Sequence, residues 1–392
     1  MNNSCVISSL LDNDFYKFTM QNAVLKLFPS AKAKYKFINR GKHLFPKNFS
    51  NILKENINEM ANLKLSSEER NYLEKYCPYL DTTYLDFLNK YKFNPNEVNI
   101  HQYGQNIFME IEGLWHRTIL WEVPILAIIS ELYYKLTGTK TNRISDDIIK
   151  IITKNKINKY KNLKVKVGEY GTRRRFSYKV QKLVLKILIE NGNKFFIGSS
   201  NVHFSHIFST IPLGTKGHEW IMFHAAKYGF KIADKIAMKN WLYIYSGNLD
   251  IALSDTYTSY IFFKNFNKKL SNIFSGIRHD SGDPISFIKK AINHYEKFGI
   301  NPKKKKIVFS DNLDPYKVEY ISSFCKNKIN SCFGIGTNFT NDVGLPIMNI
   351  VIKMIKTSFK KKWISVVKLS NIEKKSTGEK NMIFLAKKIL HL

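Results

Sequence analysis

From about residue 163 onward, short apolar or β-branched runs alternate with longer stretches whose apolar residues recur at helical spacing. The runs are LKVKVGEYGT (163–172), KFFIGSSN (194–201), LDIALSDT (249–256), FSGIRHDSG (274–282), KKIVFSDN (305–312) and NSCFGIGT (330–337). Each breaks into Gly, Ser, Asp or Asn after four to six residues, which is how a buried strand ends in a loop. Between them lie amphipathic stretches such as Ile285 to Phe298, and one long helical region over 217–245. Successive runs start 25 to 31 residues apart, with one gap of 55. Strand, polar loop, helix, strand predicts a parallel α/β fold: a (β/α) barrel or a doubly wound sheet. Both bind ligands at the carboxyl ends of their strands, where the polar corners of this chain fall.

The first 135 residues follow a different pattern. A helix is predicted over Asp12 to Leu27, polar helices around 50–75, and strands near AKAKYKFINR and NIFMEIEG. The expected organisation is an α+β domain over 1–135, a barrel-like α/β domain over 136–354, and a tail from about 355 to 392 that packs back on the first domain. No flexible linker and no repeat beyond the strand–helix alternation interrupts it.

Composition changes this picture little. The 392 residues are 44% hydrophobic and 14% aromatic, enough to build a core. The formal charge of +31 raises the alternative of a basic nucleic-acid-binding protein. However, only eight of the 62 basic residues are Arg, and Lys, Asn and Ile are abundant throughout, so the charge reads as compositional drift. The runs Lys303 to Lys306 and Lys360 to Lys362 are expected to be solvated faces. No zinc finger, RNP-like pattern or helix-turn-helix stands out, and no nucleic acid is expected as a partner. Cys5, Cys77, Cys325 and Cys332 form neither a C-x-x-C pair nor a zinc spacing, consistent with reduced thiols. Neither a signal peptide nor a membrane span is visible, and a cytoplasmic location is expected.

The corners carry the candidate chemistry. In EYGTRRRFS, glycine allows close approach to backbone, and the arginines suit carboxylate or phosphate. GSSN, SDTY, SDN and GIGT are turns whose amides can cradle phosphate oxygens. His218 of PLGTKGHEW opens a helix after a loop, and His224 would face elsewhere, so no zinc pair results. In IRHDSGDP, Asp280 and Asp283 make an acidic corner in a cationic chain. Carboxylates there can accept from sugar hydroxyls, hold magnesium through water, and stabilise positive charge developing on a sugar ring. Asp283 before Pro284 also reads as a helix cap.

LLDNDFYKFTMQ, EYGTRRRFS, GSSNV, PLGTKGHEW, SDT, RHDSGDP, VFSDNLD, FGIGTNFTND and PIMNIVIKM, in this order, resemble the nicotinate phosphoribosyltransferase family. The resemblance spans residues 10 to 354 and implies a type II phosphoribosyltransferase: an irregular (β/α) barrel with an additional α+β domain, in a homodimer with shared active sites. It implies nicotinate, phosphoribosyl pyrophosphate and ATP as substrates, with Mg2+, for the salvage entry to NAD. It implies a phosphohistidine at His218, Tyr170 stacking on the pyridine with Arg173 nearby, and Tyr16 stacking on the other face from the partner subunit. Asp14 and Lys17 belong to the same block as Tyr16. Arg278, Asp280 and Asp311 would contact base and ribose, and Gly334, Gly336 and Thr337 the 5′-phosphate. Lys353 would add a partner-side charge. No residue is assigned as a metal ligand. Nicotinamide-using relatives carry an acid in the region of Ser200; here Ser199, Ser200 and Asn201 are uncharged and Arg173 to Arg175 lie near, which favours nicotinate over nicotinamide or quinolinate. Asn338 stands where bacterial relatives often have Arg.

Overall fold

A computed structural model of the chain describes residues 5–137, 145–359 and 362–392. Among the described residues, eleven strands form two sheets. In chain order they are β1 (Lys32–Asn39), β2 (Val98–Tyr103), β3 (Asn106–Leu114), β4 (Lys166–Glu169), β5 (Phe196–Ser199), β6 (Ile251–Leu253), β7 (Gly276–His279), β8 (Lys306–Phe309), β9 (Asn330–Ile335), β10 (Ile350–Ser358) and β11 (Trp363–Ser365). One sheet is antiparallel, in the order β11-β10-β1-β3-β2, and the other is parallel, in the order β5-β4-β9-β8-β7-β6.

All six parallel strands fall inside the six apolar runs. They are short because each buries both faces and must then release its backbone into a polar loop. Helices such as Pro284–Lys297 and Pro315–Cys325 cover the outer face through Ile288, Ala291, Val318 and Ile321. Proline at the first helical position and an aspartate cap set both starts: Asp283 Oδ2 accepts from the Ser286 amide, and Asp314 Oδ1 from the Tyr316 and Lys317 amides. The acidic corner is therefore divided, with Asp283 spent as a cap and Asp280 left for chemistry.

No ladder joins β5 to β6. The loop between β5 and His218 lies across that gap instead: the Leu213 amide donates to the Ser199 carbonyl (2.8 Å), and Lys216 Nζ donates to the Ile251 carbonyl (2.9 Å). Gly198 makes the exit of β5 possible. Its φ is +129°, and a Cβ there would stand 2.6 Å from the Ile211 carbonyl oxygen.

The antiparallel sheet holds β1 and β3 as expected, together with three strands the sequence reading missed, β2, β10 and β11. β2 returns to β3 through a two-residue turn at Gly104, whose φ is +56°. β10 pairs with β1 along its whole length, so this sheet recruits chain from residue 350, ahead of the tail expected from 355. The helical region over 217–245 is two helices, His218–Tyr228 and Ala233–Tyr245, broken near Gly229 at φ +90°. Trp220, Phe223 and Trp241 of these helices share one core with Phe28, Trp115 and Met354.

The expected solvated lysine run is only partly so. Lys303 and Lys304 are exposed, but Lys305 is buried because its ammonium caps the carbonyls of Asn272 (2.9 Å) and Phe274 (2.7 Å). Lys362 is exposed, and Lys360 and Lys361 lie outside the described residues. The four cysteines are unpaired thiols. Among the described residues, no helix is long and apolar enough to cross a membrane.

Candidate active site

The C-terminal ends of the parallel strands meet the start of the first helix, Phe15–Leu27. The Phe15 amide donates to the Ser200 carbonyl (2.7 Å), and Ser200 Oγ donates to Asp14 Oδ1 (2.8 Å). These bonds lay the segment Asp14 to Lys17 across the end of β5. Tyr16 thus enters the site from its own chain, its ring against Gly217, where a Cβ would come within 2.9 Å. The Arg173 guanidinium lies 6.0 Å from the centroid of that ring. Its expected role toward a partner's site belongs with the homodimer of the proposed function.

At the end of β4, Glu169 is buried and accepts from Ser199 Oγ (2.5 Å), Gln181 Nε2 (3.2 Å) and the Gly171 amide. Burial pushes its carboxyl up to about 7, against those hydrogen bonds. The turn it stabilises presents Tyr170, whose amide donates to the Ile335 carbonyl (2.7 Å). The Tyr170 ring lies over Gly334, where an added Cβ would stand 3.0 Å from it. Gly334 is therefore a floor for the ring.

The three arginines part company. Arg173 is more than a third exposed, with Nε 3.3 Å from Asp14 Oδ2 and a terminal nitrogen 3.7 Å from Glu122 Oε1. Arg174 lines the same cavity, and burial followed by the Arg173 charge depresses it to about 10. Arg175 is fully buried and bidentate to Asp12, at 2.9 Å on each oxygen. A guanidinium spent in this way cannot meet a substrate, so the expectation of one three-arginine cluster is corrected to two. The cavity these residues line has a volume of about 60 Å³, with Glu122, Tyr170, Gly336, Thr337 and Val351 in its wall.

Lys353, expected to be a partner-side charge, sits on β10 within the chain's own cluster. Burial depresses its ammonium to about 8, opposed by Glu122 and assisted by Lys368, Arg173 and Arg40. Thr337 opens the short helix Thr337–Thr340 after Gly336. Nearby, Lys156 Nζ donates to the Asn338 carbonyl and pairs with Asp342 Oδ2 at 2.5 Å, which brings a cation to the segment where Asn338 lacks one.

A second cluster gathers at β6, β7 and β8. His218 Nδ1 is 3.0 Å from Thr256 Oγ1, and its Nε2 is 3.0 Å from Asp280 Oδ2 and 2.9 Å from Lys368 Nζ. Burial, then the Lys368 charge, pushes the imidazole down to about 4, so it is neutral at pH 7. Asp280 Oδ1 accepts from Ser310 Oγ (2.7 Å) and from Arg278 (3.0 Å). Burial would raise that carboxyl, but Arg278, His218 and Lys368 hold it well below the usual range. Asp255 accepts from Ser281 Oγ (2.6 Å) and leaves Oδ1 buried without a partner. His218, Asp255 and Asp280 bring one ligand atom each to within 4.8 Å of one another.

Asp311 stands apart. Its Oδ1 pairs with Lys375 Nζ at 2.6 Å, so a ribose hydroxyl would have to compete with that ammonium. Lys368 and Lys375 both come from the tail, a strap tied down by Leu369 N–H to the Thr256 carbonyl (2.8 Å) and by Asn371 Nδ2 to the Ser281 carbonyl (2.9 Å). The sequence reading missed Lys368, Lys375, Asp255, Thr256, Ser310 and Glu122. Asp255 was within reach, since SDT had been singled out as a strand end. The lysines were not, being lost among many others.

The ends of the parallel strands gather an imidazole, two carboxylates and several cations at one rim, a site suited to anionic substrates, and comparison with known proteins gives its class as phosphoribosyltransferase. The nicotinate phosphoribosyltransferase N-terminal domain model matches residues 11–130, and the nicotinate phosphoribosyltransferase family model matches residues 165–390. A nicotinate phosphoribosyltransferase of Chromohalobacter salexigens is 52% identical over 388 residues, covering 99% of each chain. One of Desulforapulum autotrophicum is 42% identical over 98% of this chain and 99% of its own. The crystal structure of nicotinate phosphoribosyltransferase from Porphyromonas gingivalis superposes with a TM-score of 0.96 at 40% identity, over 99% of this chain and 100% of that one. The chain belongs to the nicotinate phosphoribosyltransferase family.

Proposed function

We propose that the chain joins nicotinate to phosphoribosyl pyrophosphate, giving nicotinate mononucleotide and pyrophosphate, with ATP hydrolysis coupled through a phosphohistidine at His218. The observation that carries this reading is the pairing of a cavity with a neighbouring cluster of charged side chains. One offers a tyrosine ring and Arg173, suited to an aromatic carboxylate. The other offers Asp280, Arg278 and His218, suited to ribose and phosphates.

Departure of pyrophosphate leaves positive charge on the ribose C1, and the pyridine nitrogen attacks from the opposite face. Asp280, held ionised by its cations, is placed to stabilise that charge. Tyr16 and Tyr170 would fix the ring between them, a positioning effect worth up to ~7–11 kcal/mol in favourable cases. Gly334, Gly336 and Thr337 would take the 5′-phosphate. Asp311 would accept from the ribose once Lys375 is drawn to phosphate, and Lys353 would add a cation beside Arg173. When Nδ1–H donates to Thr256, the lone pair of His218 Nε2 accepts from Lys368 Nζ, and once that ammonium turns to the phosphates it can take the terminal phosphoryl group of ATP, releasing ADP. Asp255 and Asp280 fit Mg2+, because the unpartnered Asp255 Oδ1 is a hard oxygen donor beside the phosphate side of the site. When bound, the ion supplies charge for the departing pyrophosphate.

The choice of base rests on Arg173. An acid, Asp14, does lie directly behind Ser200, but Arg173 pairs with it and turns the remaining positive charge toward the cavity. A substrate carboxylate is thus attracted, whereas an amide gains less. The same reading includes the irregular barrel, with the loop Pro212 to Lys216 filling the β5–β6 gap, and the division into a barrel domain and an α+β domain. It also includes a homodimer and a cytoplasmic location. The deciding experiment compares nicotinate, nicotinamide and quinolinate with phosphoribosyl pyrophosphate and Mg2+, with and without ATP. Only nicotinate should give product, faster with ATP; equal use of nicotinamide would overturn the assignment of the base.

A further inference from the structure

Lys17 is fully buried, which an ammonium tolerates only when it is paired. Its Nζ lies 2.6 Å from Glu122 Oε2 and 2.5 Å from Glu219 Oε1, bridging two carboxylates that belong to different halves of the site. Glu122 is the first residue of the helix Glu122–Leu136, lines the cavity and is 3.7 Å from Arg173. Glu219 follows His218 directly at the start of the helix His218–Tyr228, and its other oxygen accepts from Tyr35 Oη at 2.7 Å.

The geometry points to Lys17 as a positioning residue: a buried ion-pair relay, Arg173–Glu122–Lys17–Glu219, that ties the guanidinium facing the base to the helix start carrying His218. This rests on the reading of nicotinate and ATP as co-substrates given above. Every link is an ion-pair contact, and the two links made by Lys17 are buried away from solvent screening. A phosphoryl group placed on His218 adds negative charge next to Glu219. The relay then has a physical means of passing that change on. Lys17 is drawn toward the phosphorylated end, Glu122 loses part of its partner, and Arg173 is re-aimed between Glu122 and the substrate carboxylate. A purely structural clip would hold the two helices together without making base affinity depend on ATP.

The test uses the purified full-length protein, with initial rates measured at saturating phosphoribosyl pyrophosphate and Mg2+ while nicotinate is varied, with and without ATP. Allosteric couplings commonly amount to about 5–150-fold, and the wild-type KM for nicotinate should fall by a factor in that range when ATP is added. In Lys17→Met and in Glu122→Gln that ratio should collapse to within about twofold. Lys17→Met leaves two carboxylates facing each other and risks misfolding; Glu122→Gln keeps Lys17 paired with Glu219 and decides the matter if the first variant fails to fold. Folded variants that retain the wild-type ratio would overturn the relay and leave the proposed activity standing. A wild-type protein that makes no product from nicotinate would overturn the proposed activity itself. One that makes product with no response to ATP would overturn the ATP coupling and the relay together.

Discussion

At His218, burial and the Lys368 ammonium keep the imidazole uncharged at any pH above about 4. The sign of the consequence for stability follows from linkage. The folded pKa lies below the ordinary value of 6.5, so the unfolded chain binds the extra proton first as pH falls. This group therefore contributes fully above about pH 6.5, and its contribution is lost on the way down to about 4. His218→Asn should abolish that slope, seen as a smaller fall in Tm between pH 7 and pH 4 than in the wild type, and should remove the ATP response of the rate. Lys216 offers the complementary case. Buried between Trp241 and Phe274, its ammonium is pushed down to about 7 from an ordinary 10.5. The unfolded state holds its proton over that interval, so the wild type should gain stability from pH 7 to 10 relative to Lys216→Met, checked by denaturant titration at both pH values. Gly334→Ala would place a methyl 3.0 Å from the Tyr170 ring. Its effect should be a rise in the nicotinate KM of roughly tenfold, about 1.4 kcal/mol, with Tm little changed.

Among the elements, legibility followed how local the signal was. Each parallel strand announced itself because a buried run must end in small polar residues, and the caps of Asp283 and Asp314 sit next to the prolines they precede. β2 was hidden because it lies on an edge and alternates weakly; its evidence is its partner β3. β10 was noticed as a motif but not as a strand, because what makes it one is β1, which pairs with it from the far end of the chain. The same distance hid the strap that carries Lys368 and Lys375. Nothing near WISVVKLS distinguishes these two from the other lysines; only folding brings them to His218 and Asp311. Likewise, Arg173 and Arg175 stand two positions apart in one arginine run, and burial against Asp12 alone decides that one is structural. A chain truncated after Ser365 should keep the parallel sheet, visible by circular dichroism, yet lose at least about a hundredfold in kcat/KM, because charge-directed groups of this kind are commonly worth ~10²–10³.

Across the whole molecule, the charge of +31 is carried mainly by lysines scattered over a surface that opposes its own compaction. Salt shortens the reach of that repulsion to about 10 Å at 0.1 M. Stability should therefore rise as NaCl is raised from 10 to 150 mM, measured as Tm. An unchanged or falling Tm would mean that the clustered ion pairs of the interior, rather than surface repulsion, set the salt response.

The antiparallel sheet has one further consequence, for synthesis. β1, β2 and β3 are complete by residue 114, but the free edge of β1 is closed only by β10, about 240 residues later. At 5–20 residues per second, a nascent chain would carry that open edge for roughly 12–50 s. Unpaired edges invite pairing with a neighbour. Ribosome-bound fragments ending before β10 should therefore depend on chaperones, and release of the finished chain should end that dependence.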